Sequence, residues 1–153
     1  MVVDVIDLCD EAEKSILMAS NYLDVRVMEA CFRSVDRGVT NRLIVGNQSL
    51  SSKLKNLRMM LSLTFAKTLI NFTTNKVNIR EFLKFVDLPY TFCVVDGYRT
   101  IIEINNTINE QFIVALSIDN RNVGEKLTKF FETLWNAGDF QSAIEVLESI
   151  NPS

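Results

Sequence analysis

Two short apolar runs, Ser15-Ile-Leu-Met-Ala-Ser20 and Arg42-Leu-Ile-Val45, bracket a segment of helical periodicity, and this constrains the fold more than any other feature. Each run is apolar at consecutive positions, as suits a strand buried on both faces. Between them Asp24 is a good N-cap, and Val25, Met28, Cys31, Phe32 and Val35 form one stripe. Gly38 then ends the helix as a left-handed cap. A β-α-β unit requires parallel strands joined by a crossover helix.

The remaining periodicities extend this core. Val5, Leu8, Cys9 and Ala12 predict a helix over residues 2–13. Ser49 caps a longer helical stretch running to Phe72, with Leu50, Leu54, Leu57 and Leu61 on one side and room for a break into two pieces. At Val77, Ile79 and Phe82 the period changes to two, which predicts a strand. Three β-rich runs follow, Tyr90–Val95, Thr100–Ile104 and Gln111–Ile118, with a hairpin signal at Asp96-Gly97. Leu127, Phe130, Phe131, Leu134 and Trp135 then trace a helical stripe that stops at Gly138. Asp139 caps a last helix bearing Phe140, Ala143, Ile144, Leu147 and Ile150. The expected fold class is α/β: a single domain over residues 1–153 with a mixed sheet of about six strands flanked by helices.

Composition removes several chemistries. The chain of 153 residues contains no histidine, which excludes His-based acid–base catalysis, His-dependent nucleophiles and His-ligated metals. Its five glycines form no phosphate-cradling run. Cys9, Cys31 and Cys93 sit among apolar residues without a CxxC pair, so they are expected to be reduced core residues, and no metal or cofactor is expected. No basic-then-apolar leader opens the chain, and no apolar run approaches the roughly 18 residues a membrane helix needs. The expectation is a cytoplasmic protein with no membrane partner, in which the sequons at Asn47, Asn71 and Asn105 are silent. Net charge is −3, unevenly spread: residues 37–80 hold eight bases and no acid. A solvated helix face explains such a run, and so does an anionic partner.

The segment from Asp87 to Asn106 carries most information. An apolar strand delivers Asp96 to a turn, and the next strand leaves through Ile101 and Ile102. This resembles the phospholipase D-like family, whose motif reads His-x-Lys-x4-Asp-x6-Gly-Ser-x-Asn. On this sequence the Asp falls on Asp96 and the final Asn on Asn106. The His falls on Pro89, the Lys on Thr91, and the Gly-Ser pair on Glu103 and Ile104. Leu17-Met-Ala-Ser-Asn-Tyr22 and Arg37-Gly-Val-Thr-Asn-Arg-Leu-Ile-Val45 look like the first β-α-β of that family. Phe130-Phe-Glu-Thr-Leu-Trp135 looks like the C-terminal helix of its archaeal regulator branch, the TrmB-type sugar-sensing regulators.

The departures have chemical consequences. In active members the His attacks phosphorus while Lys and Asn neutralise the phosphate. Pro89 is not a nucleophile, Thr91 has no charge, and Glu103 would repel a phosphodiester, so no catalytic residue and no phosphodiesterase activity are expected. The resemblance implies a non-enzymatic effector-binding and dimerisation domain of a transcription regulator. Its ligand would be a small polar molecule such as a sugar, held by Asn21, Tyr22, Asn47, Thr91, Asp96, Glu103 and Asn106 at strand ends. DNA would be contacted only through a winged-helix module outside this chain. The resemblance also implies a homodimer, to which Met59, Met60, Phe82 and Phe85 would offer an apolar patch. The alternative is nucleic-acid or anionic-ligand binding through residues 37–80.

Overall fold

The computed structural model describes residues 2–21, 24–46, 79–105 and 112–138. In chain order the elements are α1 (Val2–Glu11), β1 (Ser15–Ser20), α2 (Val25–Asp36), β2 (Thr40–Gly46), α3 (Ile79–Phe82), β3 (Leu83–Val86), β4 (Thr91–Val95), β5 (Arg99–Asn105), β6 (Phe112–Asp119) and α4 (Arg121–Ala137). The six strands form one mixed sheet in the order β3-β2-β1-β4-β5-β6. β1, β2 and β3 run parallel, whereas β4, β5 and β6 add antiparallel. The predicted α/β class with six strands therefore holds.

Strand alternation sorts the core into two layers. Ile16, Met18, Leu43, Val45, Phe85, Cys93, Val95 and Ile101 pack against α1 and α2. Leu17, Ala19, Ile44, Phe92 and Val94 face the other way, under Leu127, Phe131 and Trp135 of α4. The Asp24 cap is the one the sequence announces, and Asn120 adds a second that it did not. Arg26 N donates to Asp24 Oδ1 at the start of α2, and Asn120 Oδ1 accepts from Asn122 N and Val123 N at the start of α4. The three cysteines are free and buried in the α1–α2 layer. A hydrogen bond from Cys9 and then burial push the Cys31 thiol up, and burial does the same to Cys93.

Two expectations change. The strand read at Val77–Phe82 is displaced: Ile79–Phe82 is a single helical turn, and the strand is Leu83–Val86. Phe82 and Phe85 are core residues, 2% and 5% exposed, so they offer no dimer patch. Gly138 stops α4 as expected, in an extended conformation. The helices read at 49–72 and 139–150, together with Met59 and Met60, lie outside the described residues.

α4 is fastened by cations as well as by packing. Arg42 of β2 pairs with Glu132, and its guanidinium lies 5.3 Å from the Phe131 ring centroid and 5.4 Å from that of Trp135. Lys84 Nζ donates to the Trp135 carbonyl at 2.9 Å and sits 4.8 Å from the Trp135 ring centroid. Among the described residues no helix is long and apolar enough to cross a membrane.

Candidate functional site

The parallel half of the sheet and β4 meet at one edge. There β1 ends at Ser20, β2 ends at Gly46, and β4 begins at Thr91 beside Glu103 of β5. Strand order reverses between β1 and β4, the place where open α/β sheets leave a crevice for ligands. Asn21 N donates to Thr91 Oγ1 at 3.1 Å, which ties the two strand tips together. Ser20 and Glu103 are buried, Glu103 to 2% exposure, and both are engaged by interactions of their own. Pro89 is exposed in the bend that leads into β4.

Gly46 belongs to this site for a steric reason. A Cβ at that position would lie 2.1 Å from Asn21 Oδ1, so the Asn21 carboxamide occupies the space that a side chain on β2 would fill. The sequence marked Gly46 only as a strand terminator. Ser20 went unnoticed because it closes an apolar run. The pattern that would have found both is the common ending of two parallel strands in a small residue beside an Asn.

The N-terminus of α2 also opens at this edge, directly after β1. Its free N–H groups would ordinarily attract an anion. Here Asp24 supplies the anion, accepting from Arg26 N at 2.9 Å and from the Arg26 guanidinium at 3.1 and 2.9 Å. The Arg26 guanidinium, with the backbone N–H groups beside it, holds the Asp24 carboxyl below its ordinary value against the effect of burial. The described tip residues Ser20, Asn21, Gly46, Pro89, Thr91 and Glu103 include no base and no imidazole. Among the described residues no group of three or more acidic or cysteine side chains is arranged for a metal ion.

Asp96 stands apart from these residues. It follows the far end of β4, and at about 3.3 Å per residue the strand puts roughly 16 Å between it and Thr91. Its carboxylate is already committed. Oδ1 accepts from Glu13 N, Lys14 N and Ser15 N at 3.2, 2.7 and 3.0 Å, and Oδ2 accepts from Arg99 Nη2 at 3.2 Å. Burial alone would raise this carboxyl. The Ser15, Lys14 and Glu13 backbone N–H groups, helped by Arg99, outweigh burial and hold it below the usual carboxylate range. Asp96 thus ties the β4–β5 turn to the segment entering β1. Of the expected site residues the structure brings together Asn21, Thr91 and Glu103 and sets Asp96 apart, while Tyr22, Asn47 and Asn106 lie outside the described residues.

The six-stranded mixed sheet, its order and the polar tip at the strand reversal define a phospholipase D-like fold. Three solved structures share it. TrmBL2, described as an archaeal chromatin protein with a novel mode of DNA binding, superposes with a TM-score of 0.67 at 16% identity over 90% of this chain. The phospholipase D family member Nuc of Salmonella typhimurium gives 0.58 at 14% identity, and NucT of Helicobacter pylori gives 0.57 at 11%. Each of these two matches covers 90% of this chain and 88% of the other. The chain spans only 49% of TrmBL2. No family model matches the sequence, and no curated protein does.

Proposed function

We propose that this chain is a single non-enzymatic sensing domain over residues 1–153, the effector-binding and dimerisation part of a transcription regulator. It takes a small neutral polar ligand, a sugar or related polyol, at the tips of β1, β2, β4 and β5. One observation carries the reading. By the resemblance, the positions of the fold's hydrolytic imidazole and ammonium fall on Pro89 and Thr91; the Thr91 hydroxyl accepts from Asn21 N, and the residue facing it across the hairpin is the buried Glu103. A phosphodiester would meet no cation from these residues, and the helix end beside them is filled by Asp24. Amide, hydroxyl and carboxylate groups together match the donors and acceptors of a polyol. The described similarity of fold to a DNA-binding archaeal protein supports placement in a regulator, with DNA contacted through a module outside this chain.

The alternative, direct binding of nucleic acid through residues 37–80, draws support from the same neighbour. Two of its eight bases are otherwise employed: Arg37 donates to the Cys9 and Ala12 carbonyls, and Arg42 pairs with Glu132. Its signature would be affinity that falls steeply with salt.

A thermal-shift screen of sugars, polyols and oligonucleotides separates the readings. A sugar at about 100 times its Kd stabilises the fold by about 2.7 kcal/mol. Gly46→Ala is the sharp probe. The new methyl meets the end of a flexible side chain, so the free protein keeps its melting temperature within about 2 °C. The Asn21 carboxamide is displaced, and sugar affinity drops about tenfold or more, the worth of one lost hydrogen bond to ligand. Stabilisation by DNA alone, abolished by salt, would overturn the sensor reading. So would measurable hydrolysis of a simple phosphodiester.

A further inference from the structure

Tyr90 and Tyr98 are exposed, to 37% and 38%, and stand at opposite ends of the β4–β5 hairpin. Tyr98 lies at the turn, where the Arg99 guanidinium sits 5.7 Å from its ring centroid. Tyr90 directly precedes Thr91, at the tip where the polar residues gather. Its ring stacks on Phe130 of α4, with centroids 5.7 Å apart and planes at 26°. Phe92 is 5.7 Å from each of these rings, so the three close a triangle. The approach is fixed too: Leu88 is buried in the layer under α4, and Pro89 locks its own φ. A ring held in this way has little freedom left to lose when a ligand lands on it.

The surroundings of this ring are apolar on one side and polar on the other. Thr91 pairs with Glu103, so Tyr90 comes level with Ile104, whose partner on β6 is Val114. Ile104 and Val114 are exposed and uncharged, and with Tyr90 they make a shelf along the end of the sheet on its α4 side. Across the strand tip from the shelf is the Thr91 hydroxyl, bonded to Asn21 N. We infer that Tyr90 is the stacking platform of the ligand site, and that the ligand is a ring sugar, a pyranose, in preference to an open-chain polyol. A pyranose turns C–H groups outward on its ring faces and hydroxyls around its rim. Laid on Tyr90 it sets an apolar face on an aromatic one and directs rim hydroxyls to the amide and hydroxyl groups of the tip. An open chain has no such face and would leave the shelf wet. The inference rests on the reading of the tip as a site for a neutral polar ligand and narrows that ligand to one class.

Titration calorimetry with a panel of methyl hexopyranosides and the alditols of the same hexoses is the test. The best pyranoside should bind about tenfold or more tighter than its alditol. Tyr90→Leu keeps an apolar cover on Phe92 and Phe130, so it should fold as the wild type does by circular dichroism. Its affinity for that pyranoside should fall about three- to tenfold, the worth of one aromatic face beyond its area. Tyr90→Phe should restore the affinity to within about twofold, since the face remains. Near-ultraviolet difference spectra identify the ring in contact. The tyrosine signal that the sugar induces should vanish in Tyr90→Phe and persist in Tyr98→Phe. Alditols that bind as tightly as pyranosides, a Tyr90→Leu variant with wild-type affinity, or a difference signal that survives in Tyr90→Phe would overturn the platform and leave the polar tip standing. If neither pyranoside nor alditol binds the wild type, both readings fall.

Discussion

Asp96→Ala should lower the stability of this domain by about 3 kcal/mol, with no direct effect on a ligand at the opposite end of the sheet. The carboxylate gathers three backbone N–H groups, those of Glu13, Lys14 and Ser15, and one guanidinium. Alanine leaves these donors without their acceptor and leaves Arg99, whose side chain is 12% exposed, with Glu11 as its remaining carboxylate partner. For a chain of this size the melting temperature should drop by about 10 °C. Asp96→Asn should cost roughly half as much, because one acceptor oxygen remains and asparagine tolerates the positive φ of 54° at this position.

The acid limb of the stability curve should reveal the same residue. The Asp96 carboxyl sits below its ordinary value in the folded chain. Its stabilisation is therefore present in full above the unfolded carboxyl value and disappears as pH falls from about 5 through the folded value. Melting temperatures between pH 7 and 3 should fall less steeply in Asp96→Ala than in wild type. Equal slopes would mean that the ion pair with Arg99 and the three N–H contacts contribute nothing measurable. A ligand shift lost in Asp96→Ala but kept in Gly46→Ala would reverse the assignment of the two sheet ends.

This division of roles shows which information lies in local sequence. The run Ser15–Ser20 gave its strand without error because burial on both faces forces consecutive apolar residues, a pattern few loops share. Asp24 and Asp96-Gly97 were equally legible, since a cap and a tight turn are set by residues adjacent in the chain. The strand β3 was misplaced because its alternation, Leu83 and Phe85 inward with Lys84 between them, has a lysine on a covered face. Lys84 is at home there through the ring and carbonyl of Trp135, fifty-one positions away along the chain. No window of local sequence contains that partner.

The site divides in the same manner. Thr91 and Glu103 face each other because the turn takes in three residues, Asp96, Gly97 and Tyr98, so that Val95 pairs with Arg99; a two-residue turn at Asp96-Gly97, the one the sequence suggests, would have set Thr91 opposite Ile102. The same hairpin removes Asp96 to the turn end, a consequence of strand direction that motif spacing alone conceals. Gly46 was hidden, since its role is set by the Asn21 carboxamide arriving from another strand. Arg42 illustrates the converse: a base within an acid-free run attracts attention as a ligand for anions, yet Glu132, Phe131 and Trp135 employ it in holding α4.

A second glycine should give the opposite result to Gly46, and the contrast separates a site from a foundation. Gly124 lies in the first turn of α4, where alanine would ordinarily stabilise a helix by about 0.5–1 kcal/mol. A Cβ there would stand 2.1 Å from the Gly97 carbonyl oxygen and 2.8 Å from the Tyr98 Cα. These are backbone atoms of the turn that Asp96 fastens from the other side, and Asn120 N bonds the Tyr98 carbonyl at 2.9 Å in the same corner. Neither the turn nor the helix start can yield without breaking one of these contacts. Gly124→Ala should therefore destabilise by about 2–3 kcal/mol, the reverse of helix propensity, with a melting temperature lower by roughly 5–10 °C. Combined with Asp96→Ala the losses should fall short of additivity by about 0.5 kcal/mol or more, because both changes release the same turn. Chemical denaturation of the two single variants and the double variant measures this coupling, and strict additivity would mean that α4 and the segment before β1 hold the turn independently.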